Sequence, residues 1–450
     1  MKKWLYTARD SKVGSSARVN PRELSRGSKI KSSGCLCIIC SALFVALLIP
    51  LIDKSLPLVR ANESFRAEFP VESFLEKMAQ PVPDWMVEQI ERDFSEFKGK
   101  RISAEALQKT HEQICERVTT VFHRYRIVSN RLYRFVPDGS PFLKIGSILE
   151  RAIKTLLVYA EIPDVDFILC YMDGLPEPYM PPQFFILEDE SEQAPILAQA
   201  KLRGERYIAL VPDQFSLRPS WIEGATEVLN QQIDWSQKRA MVSWRGGFTD
   251  GGVPDDQPVT EFATPRFQLC KLSIAFPERI DAGFNWVGPA MEGVMQQEGV
   301  FRESLSKLEQ VRCKYLPVLD GHMCTYPGYQ WRLLSGSLCL KQNSEQVQWF
   351  YGALQPYKHY LPMRSDCGDL LEVMKWADTH DAQAQEIALT AQEFARNNLL
   401  FADNYLYLSL VLKKLASLEE IDFEETHRNP QWVCIQYRKR LVLQKSFRYF

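Results

Sequence analysis

Residues 313–362 read CKYLPVLDGHMCTYPGYQWRLLSGSLCLKQNSEQVQWFYGALQPYKHYLP, and this stretch decides the fold class. Tyr315–Leu319 and Leu338–Lys341 are two short, mostly apolar runs that predict buried strands. The first run ends at Asp320-Gly321, and a predicted helix lies between the two runs. A strand, a helix and a second strand in this order are typical of a parallel sheet in an α/β layer.

The same alternation of strands and helices continues outside this stretch. Further strands are predicted at 166–171, 184–187, 207–211 and 241–244, and helices at 147–157, 219–232, 266–276, 369–377 and 382–398. Two sets of α/β units suit two Rossmann-like domains that face each other. In folds of this kind ligands bind at the carboxyl ends of the strands, at a topological switch point.

Length and composition limit the class of protein. At about 150 residues per domain, the 450 residues predict two or three domains. A content of 46% hydrophobic, 24% charged and 12% aromatic residues excludes a wholly disordered chain, a collagen-like repeat and a polytopic membrane protein. The net charge of -2 gives no overall attraction to nucleic acid, so no nucleic-acid partner is expected.

One local feature departs from this soluble composition. Residues 34–52 carry no charge over 19 positions, close to the roughly 20 residues that cross a bilayer as a helix. Residues 1–33 form a basic tail with nine basic and two acidic residues. This pattern predicts a single-pass membrane anchor, N-terminus inside, with the rest of the chain on the lumenal or extracytoplasmic side. The opposite orientation, a cleaved secretory signal and a buried core helix are the alternatives.

Several common catalytic motifs are missing from the sequence. It contains no Walker A loop, GxGxxG, HExxH or Gly-x-Ser-x-Gly elbow, which argues against a P-loop kinase, a dehydrogenase, a zincin and an α/β-hydrolase. The CxxC pair Cys37–Cys40 lies in the uncharged run, so a zinc site is not expected. Asp164-Val-Asp166 has the spacing of a metal-binding Asp-x-Asp, or else marks the start of a strand.

Residues 313–362 resemble the catalytic domain of glycosyltransferase family 90, which includes capsule-associated, lipopolysaccharide-modifying and Rumi-type protein O-glucosyltransferases. The matching frame is K-Y-L, D-G, L, G-S-L, K-Q, F-Y and L-x-P-x-x-H-Y-x-P. Trp244–Gly247, residues 163–173 and the run 369–399 extend the resemblance over roughly residues 140–415. The resemblance implies an α/β fold of GT-B type, two Rossmann-like domains facing a cleft, preceded here by the transmembrane helix.

Domain boundaries follow from this resemblance. Residues 53–235 are predicted as the acceptor domain with a helical lead, and residues 236–415 as the domain that binds the nucleotide sugar. Residues 416–450 are predicted as a C-terminal helix that packs back on the first domain, as GT-B chains commonly do. Because residues 430–450 carry five basic residues and no acid, an amphipathic helix on an anionic surface is the alternative.

The catalytic base is predicted at Asp173. In the Rumi-type relatives an aspartate after the strand takes this role in a reaction that inverts the anomeric centre, and Asp173 is the matching position. The chemistry needs such a group, because an acceptor hydroxyl must lose its proton as it attacks C1 of the sugar. The alternative is that Asp173 only makes the turn before Gly174.

The resemblance also implies a donor site that holds the diphosphate with cations and backbone N–H groups. The predicted donor-binding residues are Arg245, Gly246, Gly247, Arg266, His322, Met323, Cys324, Thr325, Arg332 and Ser335. The chain departs from the family in one place, because the expected arginine is replaced around Pro327-Gly328 and one residue is inserted. Arg332 is the nearest cation that could serve the pyrophosphate.

The predicted function is transfer of a sugar, glucose or xylose, from a UDP-sugar to a hydroxyl of a glycan, a lipopolysaccharide or a protein. A UDP-sugar is expected as donor substrate, no firm cofactor and no metal ligands are assigned, and a divalent cation stays open. The alternative is a catalytically inactive, membrane-anchored module that binds a glycan or a peptide on the same fold, because folds host many functions. A nucleotide-dependent transferase of another kind, such as a sugar kinase, is disfavoured by the missing phosphate loops.

Overall fold

The computed structural model describes residues 70–117, 122–137, 148–171, 186–249 and 264–435. All of them belong to one compact unit, Asn62–Phe450. The predicted anchor at 34–52 and the predicted base Asp173 lie outside the described residues, so both stay predictions. Within the described ranges, no helix is both long enough and apolar enough to cross a membrane.

Thirteen strands lie in the described part of the chain. They are β1 Phe122–Val128, β2 Arg131–Phe135, β3 Val165–Cys170, β4 Ile196–Ala198, β5 Lys201–Leu202, β6 Ile208–Leu210, β7 Arg239–Gly247, β8 Ile280–Trp286, β9 Cys313–Val318, β10 Leu338–Gln342, β11 Gln346–Val347, β12 Leu361–Met363 and β13 Trp432–Cys434. They form a first sheet in the order β13-β2-β1-β3-β4-β6, a second sheet in the order β12-β10-β9-β7-β8, and the antiparallel pair β5–β11.

The described residues also contain thirteen α-helices, which alternate with the strands mainly between β6 and β10. They are α1 Val71–Ala79, α2 Asp84–Asp93, α3 Ala104–Arg117, α4 Ile148–Tyr159, α5 Pro219–Asn230, α6 Pro265–Ala275, α7 Pro289–Gln297, α8 Lys307–Gln310, α9 Gly328–Leu333, α10 Leu370–Thr379, α11 Asp381–Asn398, α12 Phe401–Leu418 and α13 Glu425–Arg428. Three of them, α5, α6 and α7, begin with proline in the first turn, where its missing N–H costs nothing and its fixed φ fits the helix.

The second sheet is entirely parallel, as the sequence predicts. β10 pairs with β9 and β12, and β7 pairs with β8 and β9, in each case in the parallel direction. All five residues of β10 are buried, including Lys341 and Gln342, because helices cover both faces of a parallel sheet. The predicted mixed α/β fold with parallel strands is therefore confirmed, while the GT-B arrangement and the domain boundaries stay predictions.

The first sheet is mixed, which the sequence did not indicate. β3, β4 and β6 run parallel, whereas β1 pairs antiparallel with β2 and β3. Ser129 and Asn130 connect β1 to β2 and have φ angles of 49° and 57°. Positive φ at both central residues defines the two-residue hairpin turn that matches strand twist, and Asn tolerates this conformation well.

The C-terminal segment returns to the first sheet as a strand, so the predicted C-terminal helix is wrong for Trp432–Cys434. These residues form β13, which pairs antiparallel with β2. Trp432 is buried, and the Cζ atom of Arg126 lies 4.3 Å from its ring centroid. This cation–π contact and the ladder with β2 stabilise the extended segment. Residues 436–450 lie outside the described chain.

Candidate functional site

The carboxyl ends of β7 and β9 are held together by Arg266 at the start of α6. Its Nε donates a hydrogen bond to the Asp320 carbonyl at 2.9 Å, and its Nη1 donates to the Gly247 carbonyl at 2.8 Å. Nη2 donates to the Leu319 carbonyl at 3.3 Å. Arg266 therefore fixes the position of two adjacent strand ends, at the edge where parallel α/β sheets bind their ligands.

Two glycines let the end of β7 lie close to tryptophan rings. A Cβ atom at Gly246 would lie 2.5 Å from Cζ2 of Trp244, and one at Gly247 would lie 2.8 Å from Cε3 of Trp286. Trp286 ends β8 and is 61% exposed. The Arg-Gly-Gly motif is thus explained by close packing at this edge, and larger residues would push the rings out of place.

The predicted donor loop follows β9 and is folded tightly. The Gly321 N–H donates to the Met323 carbonyl at 2.7 Å, and the Thr325 hydroxyl donates to the Leu319 carbonyl. Met323 and Cys324 are buried in one cluster with Ala200. Burial is the main reason that the pKa of Cys324 is raised well above its usual value. The side chains of this loop mostly pack, whereas His322 is exposed.

Asp320 is a buried carboxylate that sequence reasoning missed. It is 6% exposed, and neither carboxylate oxygen accepts a hydrogen bond from the described residues. The nearest cation is Lys341, whose Nζ lies 3.7 Å from Oδ1 and donates instead to the Gln342 carbonyl at 2.8 Å. The signal in the sequence is the Asp-Gly pair directly after a buried parallel strand, which by itself predicts only the end of that strand.

Arg332 is a buried cation at the end of α9. It is 4% exposed, its Nη1 donates to the Gly328 carbonyl at 3.0 Å, and its Nε has no acceptor among the described residues. Burial, and secondarily the charge of Arg266, lowers the pKa of Arg332 to about 10. A buried guanidinium without a carboxylate partner in the described chain is well suited to hold an anion.

Two predicted donor-binding residues are not brought to this edge. The Nη2 of Arg245 donates to Oδ1 of Asp281 at 2.8 Å and its Nε donates to the Glu303 carbonyl at 2.9 Å, so its guanidinium is already occupied. Ser335 lies before β10, at the amino edge of the sheet. Its hydroxyl donates to the Arg332 carbonyl at 2.6 Å, and its own carbonyl accepts from Lys238 at 3.2 Å.

The Asp-x-Asp spacing has a structural role. Asp166 accepts hydrogen bonds from Nε and Nη2 of Arg124 at 2.8 and 2.6 Å, and from Nε of Arg126 at 2.7 Å. Asp164 accepts from the Ser129 N–H at 2.7 Å, next to the β1–β2 turn. No group of three or more His, Cys, Asp or Glu side chains that could hold a metal occurs in the described ranges.

The second sheet is parallel, and α/β proteins with such sheets bind their ligands at the carboxyl ends of the strands. The family model for glycosyl transferase family 90 matches residues 79–447. The chain therefore belongs to glycosyl transferase family 90, which confirms the family that the sequence resembles.

Two similar relatives are protein O-glucosyltransferases. Human protein O-glucosyltransferase 3 is 26% identical over 336 residues, covering 73% of this chain and 61% of its own length. Rat protein O-glucosyltransferase 1 is 25% identical over 364 residues, covering 79% of this chain and 85% of its own. This chain thus spans about three fifths of the human relative.

A solved structure, Anabaena HepE in complex with UDP and glucose, aligns with this chain at a TM-score of 0.31 and 10% identity. The alignment covers 60% of this chain and 74% of HepE. At this level of similarity the alignment does not assign a fold type or a ligand to the present chain.

Proposed function

We propose that the chain transfers a sugar from a UDP-sugar to an acceptor hydroxyl, and that the donor is UDP-glucose and the acceptor a protein. Membership of family 90 and the names of the protein O-glucosyltransferases support the reaction, the sugar and the acceptor. The observation that carries the donor site is the buried guanidinium of Arg332, which no described carboxylate neutralises.

In this proposal the diphosphate of the donor binds at the carboxyl edge of the second sheet. Arg332 would hold the phosphate oxygens, because a guanidinium donates two parallel hydrogen bonds to a phosphate. Arg266 would act by holding the ends of β7 and β9, since its donors are bonded to the Gly247, Leu319 and Asp320 carbonyls. Arg332 thereby takes the place of the family arginine that is missing near Pro327-Gly328.

The proposed reaction is a single displacement that inverts the anomeric centre. The acceptor oxygen forms a bond to C1 of the sugar while the bond from C1 to the phosphate oxygen breaks. Asp173 takes the proton of the acceptor hydroxyl, and the negative charge moves onto the leaving UDP. Arg332 would stabilise this charge as it develops, which lowers the barrier.

The Asp173→Asn variant tests the proposed reaction. An amide cannot take a proton, so release of UDP from UDP-glucose should fall by about 10²- to 10⁴-fold while UDP still binds with wild-type affinity. Turnover is measured by UDP release, and binding by calorimetric titration. Asp84→Asn at the exposed start of α2 is the matched control and should keep wild-type turnover. Full turnover in Asp173→Asn would contradict the assigned base.

An inactive binding module is a second candidate, because the donor loop is one residue longer than the family pattern and lacks its arginine. Turnover and UDP-binding assays of the wild-type protein distinguish the two functions. They are run with UDP-glucose and with UDP-xylose, each with and without Mg²⁺. Turnover of either sugar supports the transferase and names the donor. Retained UDP binding with no turnover of either sugar would favour the binding module.

A further inference from the structure

We propose that Asp320 binds hydroxyl groups of the sugar nucleotide and is a specificity-determining residue of the donor site. This inference rests on the proposed function, because it needs a sugar nucleotide at the carboxyl edge of the second sheet. It assigns a role to a residue outside the predicted donor-binding set, and it explains a buried carboxylate to which the described residues donate no hydrogen bond.

Asp320 is buried without hydrogen bonds to its carboxylate from the described residues. It is 6% exposed and neither carboxylate oxygen accepts a hydrogen bond from the described residues. A buried carboxylate without hydrogen bonds is costly, because burial removes its hydration and no hydrogen bond from the described residues replaces it. Asp320 therefore weakens the ligand-free fold, and a ligand that donates hydrogen bonds to it would remove that cost.

The main chain of Asp320 is held in place before any ligand binds. Its N–H donates to Oε1 of Gln342 at 3.0 Å, and its carbonyl accepts from Nε of Arg266 at 2.9 Å. These bonds fix the main chain from two sides, on β10 and on α6. A contact that is positioned in advance costs little ordering entropy when the ligand arrives.

The charges of Asp320 and Lys341 indicate which group of the ligand Asp320 binds. A carboxylate accepts hydrogen bonds, so it would repel the phosphates of the donor and attract its hydroxyls. Lys341 Nζ lies 3.7 Å from Oδ1 of Asp320, and this positive charge disfavours a divalent cation at the same oxygens. Two parts of a sugar nucleotide carry hydroxyls, the ribose and the transferred sugar, and the experiment separates them.

The experiment titrates UDP, 2′-deoxy-UDP and UDP-glucose into the wild-type protein and the Asp320→Asn and Asp320→Ala variants, with calorimetric detection. If Asp320 binds the ribose, wild type should bind UDP about 10-fold or more tightly than 2′-deoxy-UDP, and both variants should lose this preference. If it binds the transferred sugar, UDP should bind equally to wild type and variants. The variants should then lose only the wild-type preference for UDP-glucose over UDP.

Thermal unfolding without ligand separates this role from a structural one. Since neither carboxylate oxygen of Asp320 accepts a hydrogen bond from the described residues, Asp320→Asn should unfold at or above the wild-type temperature. Asp84→Asn should leave every affinity unchanged. The inference would be overturned if both Asp320 variants kept the wild-type preference for UDP over 2′-deoxy-UDP and for UDP-glucose over UDP. That result would leave the proposed function intact. Failure of the wild-type protein to bind UDP at all would overturn the proposed function and this inference together.

Discussion

Asp166 and Asp320 are two buried carboxylates with opposite surroundings. Asp166 is fully buried in the first sheet and accepts three hydrogen bonds from Arg124 and Arg126. Asp320 is 6% exposed beside the second sheet and accepts none from the described residues. Asp166 lies at the start of a buried strand and its charge stabilises the fold. Asp320 follows a buried strand, and in our proposal its charge is available to a ligand.

The largest predicted effect is the loss of the Asp166 carboxylate. Asp166→Asn removes the charge that accepts hydrogen bonds from two buried guanidinium groups, so the free energy of unfolding should fall by about 3–5 kcal/mol. Urea denaturation measures this change. Asp164→Asn is the matched control, since Asp164 is exposed and accepts one N–H bond, and it should cost less than about 1 kcal/mol. Equal stability of the Asp166 variant and wild type would contradict the structural role.

A smaller effect on stability is expected at Glu205, whose surroundings are intermediate between those of Asp166 and Asp320. It is half-buried and accepts one hydrogen bond, from the Leu202 N–H at 2.7 Å. Burial raises the pKa of Glu205 from 4.5 to about 7. The folded state thus holds this proton more tightly than the unfolded state. The contribution of Glu205 to stability is therefore fully present below pH 4.5 and is lost as the pH rises through 7.

The Glu205→Gln variant should not show this loss of stability as the pH rises, because glutamine does not ionise. At pH 8 the variant should be more stable than wild type by about 1–2 kcal/mol, less than the full pKa shift would give because water still reaches the side chain. At pH 4 the two proteins should be equally stable. Urea denaturation at both pH values measures the difference. The exposed Glu188→Gln control should show no such pH dependence. If Glu205→Gln differed from wild type by the same amount at both pH values, ionisation of Glu205 would not be the source of the difference.

The sequence predicts the second sheet well and the first sheet poorly, for a physical reason. β9 and β10 are buried on both faces, so their apolar runs locate them within two residues. The hairpin β1–β2 contains Arg124, Arg126 and Arg134, which do not look like buried strand residues. Their charges are neutralised by carboxylates distant in sequence, and single-sequence patterns cannot show such pairs.

The candidate site shows the same limit. Arg266 is predicted in the donor site because the family resemblance places a nucleotide-sugar-binding arginine at the start of the helix after Pro265. The direction of the Arg245 side chain depends on Asp281 and Glu303, which come from other elements. Asp320 was missed because its significance lies in hydrogen bonds that are absent, and only the folded surroundings reveal this.

We propose above all that the carboxyl edge of the second sheet binds a sugar nucleotide through Arg332. Calorimetric titration of UDP into wild type and Arg332→Gln tests it most directly. Because a charge-assisted hydrogen bond is lost, the variant should bind UDP at least about 10-fold more weakly. Arg312→Gln, an exposed control before β9 at the opposite edge, should bind UDP as wild type does. Equal UDP affinity in wild type and Arg332→Gln would contradict the claim.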